Sequence, residues 1–357
     1  MAQGQGLKKL YVELSTRCNL QCRHCFRQGW EKAPADMSPV LFSALLQQLD
    51  SLPALQTVVL GGVGEPTLSP LFTEAMTRFS GYRLLVTSNA VDWSPAVVAA
   101  LANHADMVAV SVDGLSGRHQ ERRGSDLGGV LENLSRLRRA AGRRPKPRPL
   151  QLAFQFVLSR SNAADGEAVV ALAAAEKANL LIVSHVLPQC DSEADQIMYA
   201  RYGNDECRNL FQRMQARALR LGLNIRLPRL ELKTERRCNF AEEGAAYASV
   251  DGALCPCYRF AHDGQELVFG RLKQVGRHSF AYLSSASPIA ADAVATAWES
   301  GSWQNFRNTL INNRYPSCPD CDLLDGCNIV EDTRSDCWSG APSCADCLWA
   351  RGFLQCI

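Results

Sequence analysis

Six apolar runs of strand length alternate with segments of helical periodicity in this chain, and no other feature limits its fold as much. The runs cover residues 7–14, 55–60, 82–87, 107–112, 150–158 and 180–187. Between them, 38–52, 69–79, 94–103, 127–139 and 163–178 carry helix patterns. In the first of these, Ser38 is placed to cap, and Leu41, Leu45, Leu49 and Leu52 share one face. Strands and helices in this order pair in parallel through right-handed crossovers, so an α/β fold is expected. A further helix from 205 to about 221 and a strand-like 223–230 follow. In such folds the functional loops gather at the C-terminal ends of the strands. Four loops fall there: a cysteine loop, then Gly61-Gly62-Val63-Gly64-Glu65-Pro66, then Ser88-Asn89-Ala90, then Asp113-Gly114.

A chain of 357 residues is too long for one small domain, and one large α/β unit with a smaller module is expected. Apolar residues make up 46% of it, enough for a substantial core. The net charge of +2 gives no field that would draw nucleic acid or an anionic membrane surface. Local basic groups at 136–139 and 143–148 read as a solvated helix end and loop. The stretch 278–295 is rich in small residues and reads as a loop or insertion. The N-terminal run is polar, and no apolar run approaches the roughly twenty residues of a membrane span. A cytoplasmic protein is therefore expected. Its fifteen cysteines are then unusual, because disulfides rarely persist in the cytosol and clustered thiols there point to metal or catalysis. Three lie at 18–25, two (Cys190 and Cys207) are scattered, and ten lie from Cys238 to Cys356. This distribution places a boundary near 230.

The segment STRCNLQCRHCFRQGW, residues 15–30, carries Cys18, Cys22 and Cys25. Three thiolates are one short of a closed tetrahedral site. His24 directly precedes Cys25, so its side chain is expected to project away from a site shared by both. An iron–sulfur cluster on three cysteines keeps one iron open, as chemistry at a metal requires. Soft thiolates also bind zinc, but the open position favours iron–sulfur.

Cys18-x3-Cys22-x2-Cys25 after the first strand resembles the signature of radical S-adenosylmethionine (SAM) enzymes. The turn Gly61–Glu65 is similar to that family's glycine-rich turn, with Val63-Gly64 inserted. The resemblance implies that Gly62, Gly64 and Glu65 bind SAM near its amino group. Ser88 and Asn89 resemble the ribose-contacting loop, and Ser111-Val112-Asp113-Gly114 the recurrent strand end. Arg123 resembles the arginine that meets the SAM carboxylate, for which a guanidinium is well suited. His24 and Asp113 complete the implied cofactor-contacting set. The implied fold is a partial (β/α)6 TIM-like barrel over 7–220 with a C-terminal cysteine-rich iron–sulfur domain over 230–357.

That second region reads Cys238-x13-Gly252-x4-Cys257, with Cys255 beside it, then Cys318-x2-Cys321-x5-Cys327. It resembles the SPASM extension, which implies two auxiliary [4Fe–4S] clusters; a double zinc ribbon is the alternative. Glu331 stands where the pattern carries its next cysteine. The remaining thiols are Cys337, Cys344, Cys347 and Cys356, of which Cys337 is expected to serve the first auxiliary cluster and Cys347 the second. The tail from Asp336, together with Ser184-His185-Val186-Leu187-Pro188, resembles a subgroup of maturases for tungsten-containing aldehyde oxidoreductases.

The resemblance implies reductive cleavage of SAM to a 5′-deoxyadenosyl radical. The expected substrate is a protein, peptide or cofactor precursor, and the expected electron donor a ferredoxin or flavodoxin. A small-molecule substrate is one alternative. A non-catalytic iron–sulfur carrier or scaffold is another, which the SAM-type loops oppose. Neither nucleic acid nor membrane is an expected partner.

Overall fold

The computed structural model describes every residue except 1–5, 31, 143–147, 284–289 and 291. The polar N-terminal run, most of the basic segment 143–148 and part of 278–295 thus lie outside the described residues.

The expected strands form as β1 (Lys9–Val12), β2 (Thr57–Leu60), β3 (Arg83–Ser88), β4 (Met107–Ser111), β5 (Gln151–Leu158) and β6 (Leu180–His185). The strand-like 223–230 shortens to β7 (Asn224–Arg226), and β8 (Ala245–Ala248) comes later. All eight pair in parallel, in the order β8-β1-β2-β3-β4-β5-β6-β7. β8 lies beyond residue 230, so the sheet continues past the position where the cysteine distribution puts a boundary. β9 (Ala253–Cys255) adds to β8 in antiparallel. β10 (Gly264–Val268) and β11 (Arg271–Val275) form a separate hairpin. β12 (Ala281–Tyr282) pairs with β9, inside the stretch read as a loop.

Helices cover one face of the parallel sheet: α1 (Pro39–Gln47), α2 (Phe72–Arg78), α3 (Pro95–His104), α4 (Ser116–Arg123), α5 (Leu127–Ala141), α6 (Gly166–Ala175) and α7 (Asp205–Leu221). The Ser38 and Ser94 hydroxyls accept from Leu41 N and Val97 N, each at 3.2 Å, and proline follows each at the first helical position. α4 has no apolar stripe and is not apparent in the sequence. It ends at Gly124, whose φ of 76° suits glycine.

The strands are near-continuous apolar runs because both faces are covered. Leu10, Val58, Val86, Val108 and Phe154 pack under the helices. On the other face, Tyr11, Val59 and Leu85 pack with Cys356, and Ala109, Ala153 and Ile182 with Ile357. The end of the chain therefore runs through the barrel lumen. Backbone and side chains hold it there: His185 N donates to Phe353 O at 3.1 Å, Gln355 N to Ser184 Oγ at 2.9 Å and Arg226 Nη1 to Cys356 O at 3.2 Å. Lys9 Nζ and Tyr11 OH both donate to Ile357 O. No helix among the described residues is long and apolar enough to cross a membrane.

Candidate active site and thiol clusters

The cysteine loop leaves β1 and closes on itself. Arg27 donates to Leu20 O at 2.8 Å and Thr16 O at 3.2 Å, and Gln28 Nε2 to Cys22 O at 2.6 Å. Arg23 N donates to Arg122 O at 3.0 Å, which ties the loop to α4. Burial raises the Cys18 and Cys22 thiol pKa values; the Leu20 N–H opposes this at Cys18 and Arg123 opposes it at Cys22. Cys18, Cys22 and Cys25 open into a cavity of about 300 Å³ that is continuous with solvent. The loops after β2 and β3 line the same cavity, with Ser111 at the end of β4 and Arg123 of α4.

The glycine turn is shaped by its protein neighbours. A Cβ on Gly64 would strike Ser15 O and lie 2.7 Å from Thr16 Cα. One on Gly62, whose φ is 149°, would lie 2.5 Å from Tyr247 OH. Beneath the turn, Glu13 accepts from Val63 N at 3.4 Å, Val250 N at 3.2 Å and His262 Nε2 at 2.8 Å. Sequence reasoning missed Glu13 and His262; the signal was a lone carboxylate within an apolar strand run.

Glu65 lines the cavity, but the protein itself engages both carboxylate oxygens. Ser88 Oγ and Thr67 Oγ1 donate to Oε1 and Asn89 N to Oε2, all at 2.7 Å. Burial raises the Glu65 pKa against these bonds. Ser88 Oγ also accepts from Ala90 N and Trp93 Nε1, both at 3.0 Å. Asn89 Nδ2 donates to Asn19 Oδ1 at 2.8 Å and lies 3.6 Å from Cys18 Sγ. This network makes one unit of the second and third loops and attaches it to the cysteine loop.

Asp113 plays the same part on the other side. Its Oδ2 lies 2.6 Å from Arg123 Nη1 and 3.2 Å from His24 Nε2, and Oδ1 accepts from Val157 N at 2.7 Å. Burial works against the Asp113 charge, but Arg123 and His24 outweigh it and hold the carboxyl well below the usual range. His24 is thus held by Asp113, and it lines the same cavity as the three thiols. Arg123 Nε and His24 Nδ1 are buried with no partner within the protein. His119, also missed, accepts from Asp113 N through Nδ1 at 3.4 Å and pairs with Ser125 Oγ at 3.1 Å.

Nine of the ten C-terminal cysteines divide into two sets. Cys238, Cys257, Cys344 and Cys347 ring one space, and Cys356 lies between it and the main cavity. Tyr258 OH is 3.3 Å from Cys356 Sγ in that wall. Burial raises each of these five thiols, and Cys347 adds to the effect at the other four. In the second set, burial pushes Cys318 up to about 12, with Asp346, Cys337 and Cys327 acting in the same direction. Cys321 is one turn on from Cys318, its N donating to Cys318 O at 3.1 Å. Cys337, the thiol expected to stand in for the cysteine missing at Glu331, lies with Cys318 and Cys327, and Cys347 lies with Cys238, Cys257 and Cys344. Cys255 joins neither set; its charged neighbours are Arg277, Asp251 and Glu13. Glu331 is exposed at the end of the turn Ile329–Glu331. Among the described residues no three His, Cys, Asp or Glu side chains converge closely enough to hold a single metal ion.

Residues 12–144 match the Radical SAM superfamily. A curated relative, the tungsten-containing aldehyde ferredoxin oxidoreductase cofactor-modifying protein of Pyrococcus furiosus, is 34% identical over 358 residues, which span 98% of this chain and 97% of the relative. The chain belongs to the radical SAM superfamily. Streptococcus suis SuiB bound to S-adenosylmethionine has the same fold, with a TM-score of 0.61 at 15% identity over 91% of this chain and 73% of SuiB. Native anSMEcpe with bound AdoMet gives 0.59 at 13% identity, over 97% of this chain and 96% of its own. These likenesses show the expected α/β partial barrel with its cysteine-rich C-terminal part.

The residues fit the group that a radical SAM enzyme holds. Three thiols on one loop leave room for a fourth, external ligand. The orphaned Arg123 Nε is a free cationic donor beside them, where a carboxylate-bearing ligand has use for it.

Proposed function

We propose that this radical SAM enzyme is a maturase acting on a protein, peptide or cofactor precursor, and that its target is a tungsten-containing aldehyde oxidoreductase or that enzyme's cofactor. The end-to-end match to the Pyrococcus furiosus cofactor-modifying protein supports this reading. So does a wide cavity walled on one side by C-terminal residues Tyr258, Trp349, Leu354 and Gln355. When bound, a [4Fe–4S] cluster and SAM supply one-electron sulfonium cleavage and hydrogen-atom abstraction. Cys18, Cys22 and Cys25 would hold that cluster. Arg123 would bind the SAM carboxylate, with Asp113 holding the guanidinium in place. Glu65 positions the Ser88-Asn89 loop, while Tyr258, Trp349 and the tail exclude water from the reacting side of the cavity.

Residues 7–220 form the radical SAM unit in this reading, and 230–357 carry two auxiliary [4Fe–4S] clusters. A cytoplasmic ferredoxin or flavodoxin supplies electrons. The test is to produce a tungsten-containing aldehyde oxidoreductase with and without this chain. The oxidoreductase made alone should be inactive, and the mass of its cofactor or peptide should change when the chain is present. Equal activity and equal mass in both preparations would refute the assignment.

A further inference from the structure

Four charged side chains are buried between the two auxiliary thiol sets. Arg259 donates through Nε to Glu266 Oε2 at 3.2 Å, and its Nη2 contacts Glu266 Oε1. The same Nη2 lies 3.2 Å from Asp346 Oδ1, and Lys273 Nζ lies 2.6 Å from Asp346 Oδ2. Each of the four is at most 7% exposed. Two cations and two anions at this depth contribute little net stability compared with apolar side chains of the same volume. Their placement indicates a different role.

Arg259 is two residues beyond Cys257 and lines the same space as Cys257, Cys344 and Cys347. Lys273 shares a small cavity with Cys318 and Asp346. Asp346 stands between Cys344 and Cys347 in the chain, yet it binds the cation of the other set. Arg259 Nη1 has no partner, and Lys273 Nζ makes its ion pair without an aligned hydrogen bond. Each thiol set therefore has one buried cation with donor capacity to spare, and one carboxylate joins the two cations.

We propose that Arg259–Asp346–Lys273 is an electrostatic bridge that assigns one cation to each auxiliary site and couples the reduction potentials of the two clusters held there. The inference rests on the reading that both sets hold clusters. A thiolate-bound cluster is negative and becomes more so on reduction, so a nearby cation favours the reduced form. The shared Asp346 opposes both cations, so a charge change at either end reaches both sites.

The experiment uses the full chain, reconstituted anaerobically, with iron analysis followed by a redox titration monitored by electron paramagnetic resonance. Lys273→Met should lower both auxiliary potentials, the Cys318 side more. Asp346→Asn should raise both. At a fixed potential each change should move the oxidised-to-reduced ratio about tenfold, which is about 59 mV for one electron. If the variants keep their iron and their potentials stay put, or only one site moves, the bridge is refuted while the clusters stand. If the parent chain binds no auxiliary iron, the underlying reading fails instead. If Lys273→Met fails to load the Cys318 side, the other site is read in that variant and both are read in Asp346→Asn; an unshifted potential there also refutes the coupling.

Discussion

Asp113 shows how much of the site depends on single side chains. It pairs with Arg123 and His24 and is wholly buried. Asp113→Asn would leave a buried guanidinium without its counter-charge, a change that costs about 3–5 kcal/mol. The variant should unfold at clearly lower urea and bind SAM more weakly by calorimetry; wild-type values for both would remove Asp113 from its role. Two histidines set the pH response. Burial is the main cause that lowers His119 and His185 from 6.5 to about 4, and Arg123 adds to it at His119. The unfolded chain takes up these protons first, so stability is full above about pH 6.5 and is lost as pH falls towards 4. At pH 5 each histidine should remove about 2 kcal/mol. Urea titrations at pH 7 and 5 read this directly, and replacing His185 by Gln should flatten the difference. Asp113 works at lower pH: its depressed carboxyl stabilises above the unfolded value near 3.9, and that contribution is lost only as pH drops further.

At the scale of elements, the loops support one another more than the sequence reading allowed. That reading assigned the glycines of the second loop to close approach by a ligand. Gly64 lines the cavity and also lies against the backbone of Ser15 and Thr16, at the root of the cysteine loop. Gly64→Ala should therefore displace the cysteine loop, lowering iron at the first site and SAM cleavage together while the far-ultraviolet circular dichroism stays native. Retained iron with normal 5′-deoxyadenosine formation would show that the loop tolerates the methyl. The strands were legible because burial on both faces leaves long apolar runs. The four site loops were legible because strand order alone brings them to one rim. α4 was not, since it is a polar helix fixed by its ties to the cysteine loop and Asp113. Nor was the division of the last thiols. Residues 312–357 fold as short turns pinned by bonds such as Ser343 N to Thr333 O at 2.8 Å, and spacing does not encode which turn meets which.

For the whole molecule, the two thiol-rich regions meet at one cavity. β8 extends the parallel sheet from the far side of residue 230, and Cys356 and Tyr258 separate the first auxiliary set from the SAM-facing space. Anaerobic reconstitution should load about twelve irons per chain, four per cluster. Cys337→Ala should release about four of them, and Glu331→Ala none. Stoichiometric zinc in place of iron would count against all three sites. The tail held by Lys9, Tyr11, Ser184 and Arg226 also bears on the timing of assembly. The first cysteines leave the ribosome more than three hundred residues before the segment 353–357 that walls their cavity. A nascent chain therefore cannot close its reaction chamber until residues 353–357 have been made. That segment then has to fold back through the lumen before the chamber is sealed on that side, so a chain cut short ahead of residue 353 would leave a barrel open to solvent and oxygen.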